Sequence, residues 1–427
     1  MNSKPVVLLF LVFFLMFPNS VIAMETTEIG SISGEGATQI QNALDASGIP
    51  SAQMALIIDD SLIWARGYGD QPSLNTVFRI GSITKTFVAA AFVKLNESGM
   101  INLDDDVSDY LPFEVRNPND PAKVITIRMI LEHKAGMEVY YQFNQPWISS
   151  EMLQLLDTLN YTPAIPVPDW NGVRLPLSDI INSTNINDLD LWLPSTGGYS
   201  YSNTGYFFLS FLLEHITNNT WSDYINETVL SPLGMNNTRF NVTEYEQPVA
   251  SPHLELDNGT LVTLPVYRDY GYGAGGMMTT VTDLSKFIIA IMNGGMYGGT
   301  QVFHPNSVSL MKQYLHQHGS MLGYDAQFST LYDERGSLGV ILFDNWREGN
   351  SAFIWSALVA EGDRLLDGDV TTTTTTETAT TTSTISTTTE TPPTTPGTNL
   401  SDFMLVGVAA GGIVVVIALL LVIRSRP

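Results

Sequence analysis

Cysteine occurs nowhere in the 427 residues. That absence excludes a disulfide framework and any thiol chemistry. Basic residues are scarce, 19 Lys and Arg against 43 Asp and Glu, for a formal charge of −24. Such a surface repels nucleic acid and anionic lipid, and it favours solubility outside the cell. There are only six histidines, and His316 and His318 form the one close pair. With no third His or acidic ligand at metal spacing, a metal site is not expected. No internal repeat is visible.

What is present starts with the two ends. Lys4 precedes an unbroken apolar run, Val6 to Phe17, and Val21-x-Ala23 follows it. This is the layout of a secretory signal peptide over residues 1–23, too short to span a bilayer alone. At the other end, Phe403 to Ile423 carries no charge, and Arg424 and Arg426 follow at once. A single C-terminal transmembrane helix is expected within 401–427, its basic tail in the cytoplasm and the rest of the chain outside. Between lies a Thr/Pro-rich stretch, 369–400, with almost nothing to bury. It reads as a stalk; extended like polyproline II it reaches up to about 90 Å. N-x-S/T sequons at Asn96, Asn160, Asn182, Asn218, Asn226, Asn236, Asn241, Asn258 and Asn399 suggest a glycosylated surface.

Residues 24–368 remain, enough for one large core or two lobes sharing a cleft. Residues 51–69 are two apolar runs around Asp59-Asp60 and read as a β-hairpin. Phe87, Val88, Ala91, Phe92 and Leu95 recur at helical spacing and stop near Gly99. Compact helices are expected at 125–137, 201–217, after the Gly-rich turn of 273–295, at 307–314 and at 351–366. Residues 142–200 read as loops with one short helix near Met152–Leu156. A late strand is expected at 336–345. Strands at both ends with helices between them give an α/β (α+β) fold. An antiparallel sheet is completed by terminal strands, flanked by helices, and joined by a helical lobe.

The chemistry concentrates at Gly81-Ser82-Ile83-Thr84-Lys85, at the mouth of a buried helix. Positions i and i+3 share a helix face, so Ser82 and Lys85 meet. A serine hydroxyl needs a base to become a nucleophile. Burial and a nearby helix N-terminus push lysine toward the neutral amine, and the same free N–H groups stabilise an oxyanion. S-x-x-K alone is weak: Ser309-Leu-Met-Lys312 repeats it with no glycine turn before it and reads as helix surface. Company strengthens the first copy. Tyr201-Ser202-Asn203 sits in a turn before another apolar helix, where a phenol can relay a proton and an amide can orient a substrate carbonyl. Tyr224-Ile-Asn226 is a decoy inside a helix-like stretch.

FRIGSITKTFVAAAFVKLNESGMINLDDDVSDYLP resembles the nucleophile segment of the serine β-lactamase and penicillin-binding protein family. In style it is nearest to class C enzymes and their esterase and D-aminopeptidase relatives. ITIRMILEHKAGM, YSNTGY and GAGGMMTTVTDLSKF are similar to that family's later segments, in the expected order over roughly 35–365. The resemblance implies a β-lactamase/transpeptidase-like fold with Ser82, Lys85 and Tyr201 catalytic and Asn203 holding the substrate amide. It implies no metal or organic cofactor, and a small-molecule or short-peptide acyl substrate. The family's third element, K-T-G or H-x-G on a strand, is altered in LHQHGSMLGYDAQF. Two registers compete there, His318-Gly319-Ser320 and Gln317-His318-Gly319; either way His318, Gly319 and Ser320 are the substrate-side candidates. A catalytically silent surface module that binds peptide, glycan or another cell is the alternative reading.

Overall fold

The structure is a computed structural model. It describes residues 27–139, 150–161, 177–240, 248–267, 272–346 and 351–368. The expected signal peptide, stalk and C-terminal span lie outside the described residues. Among the described residues no helix is long and apolar enough to cross a membrane.

Six strands make one antiparallel sheet: β1 (Glu28–Gly30), β2 (Ser51–Ile58), β3 (Ser61–Gly69), β4 (His318–Met321), β5 (Tyr324–Asp333) and β6 (Gly336–Asp344), in the order β1-β3-β2-β6-β5-β4. The hairpin and the late strand fall where their apolar runs place them, and β2 pairs with β6, so strands from the two ends of the domain meet at mid-sheet. Both faces of the sheet are covered, as the near-continuous apolar runs of its central strands β2 and β6 require. Met54, Leu56, Val340 and Leu342 face one core, closed by Ile40 and Leu44 of α1 (Gly34–Ser47) and Ile354 and Leu358 of the C-terminal helix Ala352–Leu366. Ala55, Ile57, Ile341 and Phe343 face the larger core, shared with α2 (Thr84–Glu97), α3 (Ile127–Leu131), α4 (Asn203–Thr217) and α5 (Val281–Met292).

Helices α2 and α4 are apolar nearly all round and buried on nearly every side, which is the packing their sequences demand. The expected helix over 125–137 is shorter than its sequence suggests. Thr126 caps it by accepting from the Met129 N–H, and the chain leaves the helix after Leu131. His133 then adopts a left-handed conformation, φ 56°, which no helix continues through. The expected loop helix near Met152–Leu156 spans Ser150–Thr158, and that at 307–314 spans Pro305–Gln313.

Candidate active site

Gly81 sets up the site. Its φ is 47°, and a Cβ there would stand 2.7 Å from the backbone nitrogen of Ser320, so both conformation and space require glycine. The chain turns through a 3-10 segment, Gly81–Ile83, before α2 begins at Thr84. Ser82 therefore sits in the tight turn leading into the helix rather than in its first α-turn. Lys85, one turn on, is fully buried.

Four side chains meet there from two distant segments. Ser82 Oγ lies 2.6 Å from the Tyr201 hydroxyl and 2.9 Å from Lys85 Nζ. Lys85 Nζ also lies 2.7 Å from Asn203 Oδ1 and 2.5 Å from the carbonyl oxygen of Ala274. Tyr201 and Asn203 arrive together because Ser202, between them, caps α4: its hydroxyl accepts from the Gly205 N–H. Ala274 belongs to the short helical turn Tyr272–Gly275 within the Gly-rich segment.

The partners of Lys85 decide its charge. None is a carboxylate, and burial holds its pKa well below the ordinary lysine value. The rings of Tyr201 and Tyr206 lie 5.1 and 5.7 Å from Nζ and favour a cation. That attraction is worth up to about 2 kcal/mol. Burying an unpaired ammonium costs several kcal/mol even after relaxation, so desolvation wins. A neutral amine also satisfies the geometry. Its two N–H groups donate to Asn203 Oδ1 and the Ala274 carbonyl, which leaves the lone pair facing the Ser82 hydroxyl. The Tyr201 phenol, raised in pKa by burial and partly offset by its bond to Ser82, stays protonated and can donate to Ser82 Oγ.

Strand β4 forms the facing wall. Phe328 N–H donates to the Gln317 carbonyl, so in an antiparallel ladder the bonded pairs are 317/328, 319/326 and 321/324. The N–H groups of His318 and Ser320 then point away from β5, toward the free edge where Gly81 and Ser82 lie. Gly319 fits because it has no side chain: a Cβ would come 2.0 Å from the Ile80 carbonyl oxygen and 2.6 Å from Ser82 N. The close approach falls on Gly319, as the register Gln317-His318-Gly319 requires. His318 is well exposed, with Nε2 2.9 Å from Asp325 Oδ1, while Ser320 Oγ is buried with no hydrogen-bond partner.

Four groups beside the cluster escape sequence reasoning: the Ala274 carbonyl, His133, Tyr206 and His316. The Tyr206 hydroxyl donates to the Leu131 carbonyl, so it accepts from His316 Nε2–H at 3.1 Å. His133 packs 4.6 Å from the Tyr201 ring and 5.2 Å from those of Tyr206 and His316. A lone histidine just past a short helix gives no periodic signal, and only the three-dimensional meeting reveals these. His316 and His318, the close pair in sequence, stand in unlike surroundings, one half-buried among aromatic rings and one exposed. Among the described residues no group of three His, Cys, Asp or Glu could hold a metal. Of the two decoys, Ser309 is exposed with Lys312 lying 4.0 Å over the Tyr332 ring, and Asn226 is exposed.

Burial, the main cause, lowers the pKa of His133 to about 3 and that of His316 to about 2. The unfolded chain takes up both protons below about pH 6.5, where the native state does not. These groups therefore cost no stability above about pH 6.5, and stability is lost as pH falls, by up to about 1.4 kcal/mol per pH unit for each. His316→Gln, which keeps a donor for Tyr206, is expected to flatten the fall in Tm between pH 6 and pH 4. Thermal melts across that window check it; equal slopes contradict it.

Three kinds of comparison bear on this arrangement. A family model described as Beta-lactamase matches residues 37–346. Beta-lactamase-like protein 2 of Dictyostelium discoideum is 26% identical over 269 residues, 60% of this chain and 44% of that protein. Protein flp of Staphylococcus aureus is 27% identical over 259 residues, 59% of this chain and 47% of that one. The chain thus spans less than half the length of these curated relatives. Among solved structures, the octameric penicillin-binding protein homologue from Pyrococcus abyssi aligns with a TM-score of 0.56 at 22% identity, covering 78% of this chain and 77% of that one. D-amino acid amidase from Ochrobactrum anthropi SV3 aligns with a TM-score of 0.56 at 20% identity, covering 79% and 100%. Likenesses this distant in sequence speak for the fold alone.

Proposed function

The chain belongs to the beta-lactamase family, and from that premise we propose that it is a serine hydrolase working through an acyl-enzyme on a lactam, ester or D-amino-acid amide. The carrying observation is the chain Lys85 Nζ, Ser82 Oγ, Tyr201 OH, with links of 2.9 and 2.6 Å. In the first step the Ser82 proton passes to the Lys85 lone pair as Oγ bonds the substrate carbonyl carbon. The N–H groups of Ser82 and Ser320 receive the oxyanion. The tetrahedral adduct collapses, the bond to the leaving group breaks, and the proton held by Lys85 reaches that group through Tyr201. Water, deprotonated by the same pair, attacks the ester carbonyl and Ser82 leaves with the proton restored. Asn203 Oδ1 steers the amine, and its Nδ2 is the donor offered to a substrate carbonyl. No metal enters any step.

The D-amino acid amidase and penicillin-binding protein homologue among the structural neighbours make amides and lactams the first substrates to try. Gln317, where the family's third element carries a basic residue, favours the silent binding module instead. The apolar segments at the two ends and the Thr/Pro stretch support secretion, a stalk and a single membrane anchor with the domain outside the cell. The sequon asparagines at 160, 182, 218, 226, 236 and 258 are exposed, in keeping with a glycosylated exterior. Hydrolysis of a chromogenic cephalosporin, p-nitrophenyl esters and D-amino-acid p-nitroanilides by wild type and Ser82→Ala tests the reading. At least one donor should turn over, and the alanine variant should lose about 10³-fold or more. No turnover of any, or equal turnover by both proteins, returns the chain to the binding-module reading.

A further inference from the structure

Tyr201 is held on both flanks by one residue. The Ser200 N–H donates to the main-chain carbonyl of His133 at 2.7 Å, and the Ser202 N–H donates to His133 Nδ1 at 3.0 Å. The His133 ring lies against the phenol ring between them, 4.6 Å centre to centre and 35° from parallel. His133 takes this position only by adopting φ 56°, a conformation that costs a β-carbon-bearing residue free energy. A left-handed non-glycine residue beside a reactive cluster, here His133 as also Tyr272 at φ 45°, calls for an explanation in what that residue does.

Resting on the hydrolase reading, we propose that His133 is a positioning residue that aims the Tyr201 phenol at Ser82. Its side chain hydrogen-bonds neither Ser82 nor substrate; it acts through the backbone of Ser202 and the face of the Tyr201 ring. Nδ1 must carry a lone pair to accept from Ser202, so the ring is the neutral tautomer with its proton on Nε2. That Nε2 is buried and has no hydrogen-bond partner. Leucine of similar volume would remove that orphan donor but strand the buried Ser202 N–H, so the two costs roughly offset and the choice of histidine points to where its acceptor and ring face are aimed. The acceptor at Nδ1 and the flat face toward Tyr201 are what leucine lacks. The phenol must stay within hydrogen-bond reach of Ser82 Oγ to pass a proton, and tilting its backbone carries it away.

The test is a double-mutant cycle on the full-length chain, read as the rate of Ser82 labelling by a fluorophosphonate. His133→Asn keeps a side-chain acceptor near the Nδ1 position and tolerates the left-handed backbone; His133→Leu keeps volume and loses the acceptor. We expect His133→Leu to label about 30-fold more slowly and His133→Asn within about threefold of wild type. In a Tyr201→Phe background, which already lacks the phenol, His133→Leu should add less than about a twofold further loss. An additive loss in that background, or full-rate labelling by His133→Leu, overturns the proposal and leaves the hydrolase reading standing. Should His133→Leu fail to fold by circular dichroism, His133→Asn carries the cycle: a tenfold additive loss from it overturns the proposal, near-wild-type rates support it. Wild type that takes no label at Ser82 takes down the hydrolase reading and this inference with it.

Discussion

Lys85→Met is expected to lower the rate of acyl transfer about 10³-fold while leaving Tm within a few degrees of wild type. Methionine fills the buried volume of the lysine stem without an amine. The proton of Ser82 then has no acceptor, and general-base assistance is worth about 10² to 10⁴. Two opposing effects act on the fold. Asn203 Oδ1 and the Ala274 carbonyl lose their donor, at about 1–3 kcal/mol for buried acceptors left unmade. Against this, the buried amine and its desolvation are removed. Lys85→Arg separates the two functions of the residue. A guanidinium keeps hydrogen-bond donors but does not release its proton, so it should be as inactive as methionine. Steady-state kinetics on the best acyl donor, with melts of each variant, check both. Arginine at wild-type rate would remove the neutral amine from the mechanism.

Gly319→Ala carries the second large effect. The added methyl would sit 2.0 Å from the Ile80 carbonyl oxygen and 2.6 Å from Ser82 N, both backbone atoms that have no rotamer to yield. Something must move, and β4 is the edge strand, bonded to the sheet on one side only. The expected outcome is that β4 swings away from Ser82, so the Ser320 N–H leaves the oxyanion position while the rest of the sheet holds. Loss of one such donor costs about 10²- to 10³-fold in kcat. Activity should therefore fall far more than stability, with kcat and not KM carrying the loss. Kinetics beside chemical denaturation measure the two, and an alanine variant with unchanged kcat would show that β4 does not flank the oxyanion.

The parts of this site that were legible are those written locally. Ser82 and Lys85 stand three residues apart at the start of an apolar helix, and Tyr201 stands in a turn before another, so spacing and punctuation alone bring them forward. The hairpin and the late strand were legible because short apolar runs bounded by turn residues mark strands buried on both faces. His133, Tyr206 and His316 were not, because each is defined by contacts across the chain: 110 residues separate Tyr206 from the His316 that bonds it. The truncation of α3 was hidden for a related reason. Its apolar pattern runs past Leu131, and only the tertiary need for His133 to reach Ser202 and Tyr201 turns the backbone left-handed. The register of the third wall stayed open between two readings because a glycine's necessity shows only when another strand or turn is pressed against it. Here the pressing groups are Ile80 and Ser82.

The most direct measurement is the site of covalent capture. After treating the folded chain with a biotinylated fluorophosphonate, tandem mass spectrometry of its peptides should place the phosphonyl group on Ser82, with Ser82→Ala unlabelled. No adduct on the native chain, or one on Ser202 or Ser309 with Ser82 untouched, would contradict the arrangement of hydroxyl, uncharged amine and phenol on which the mechanism stands.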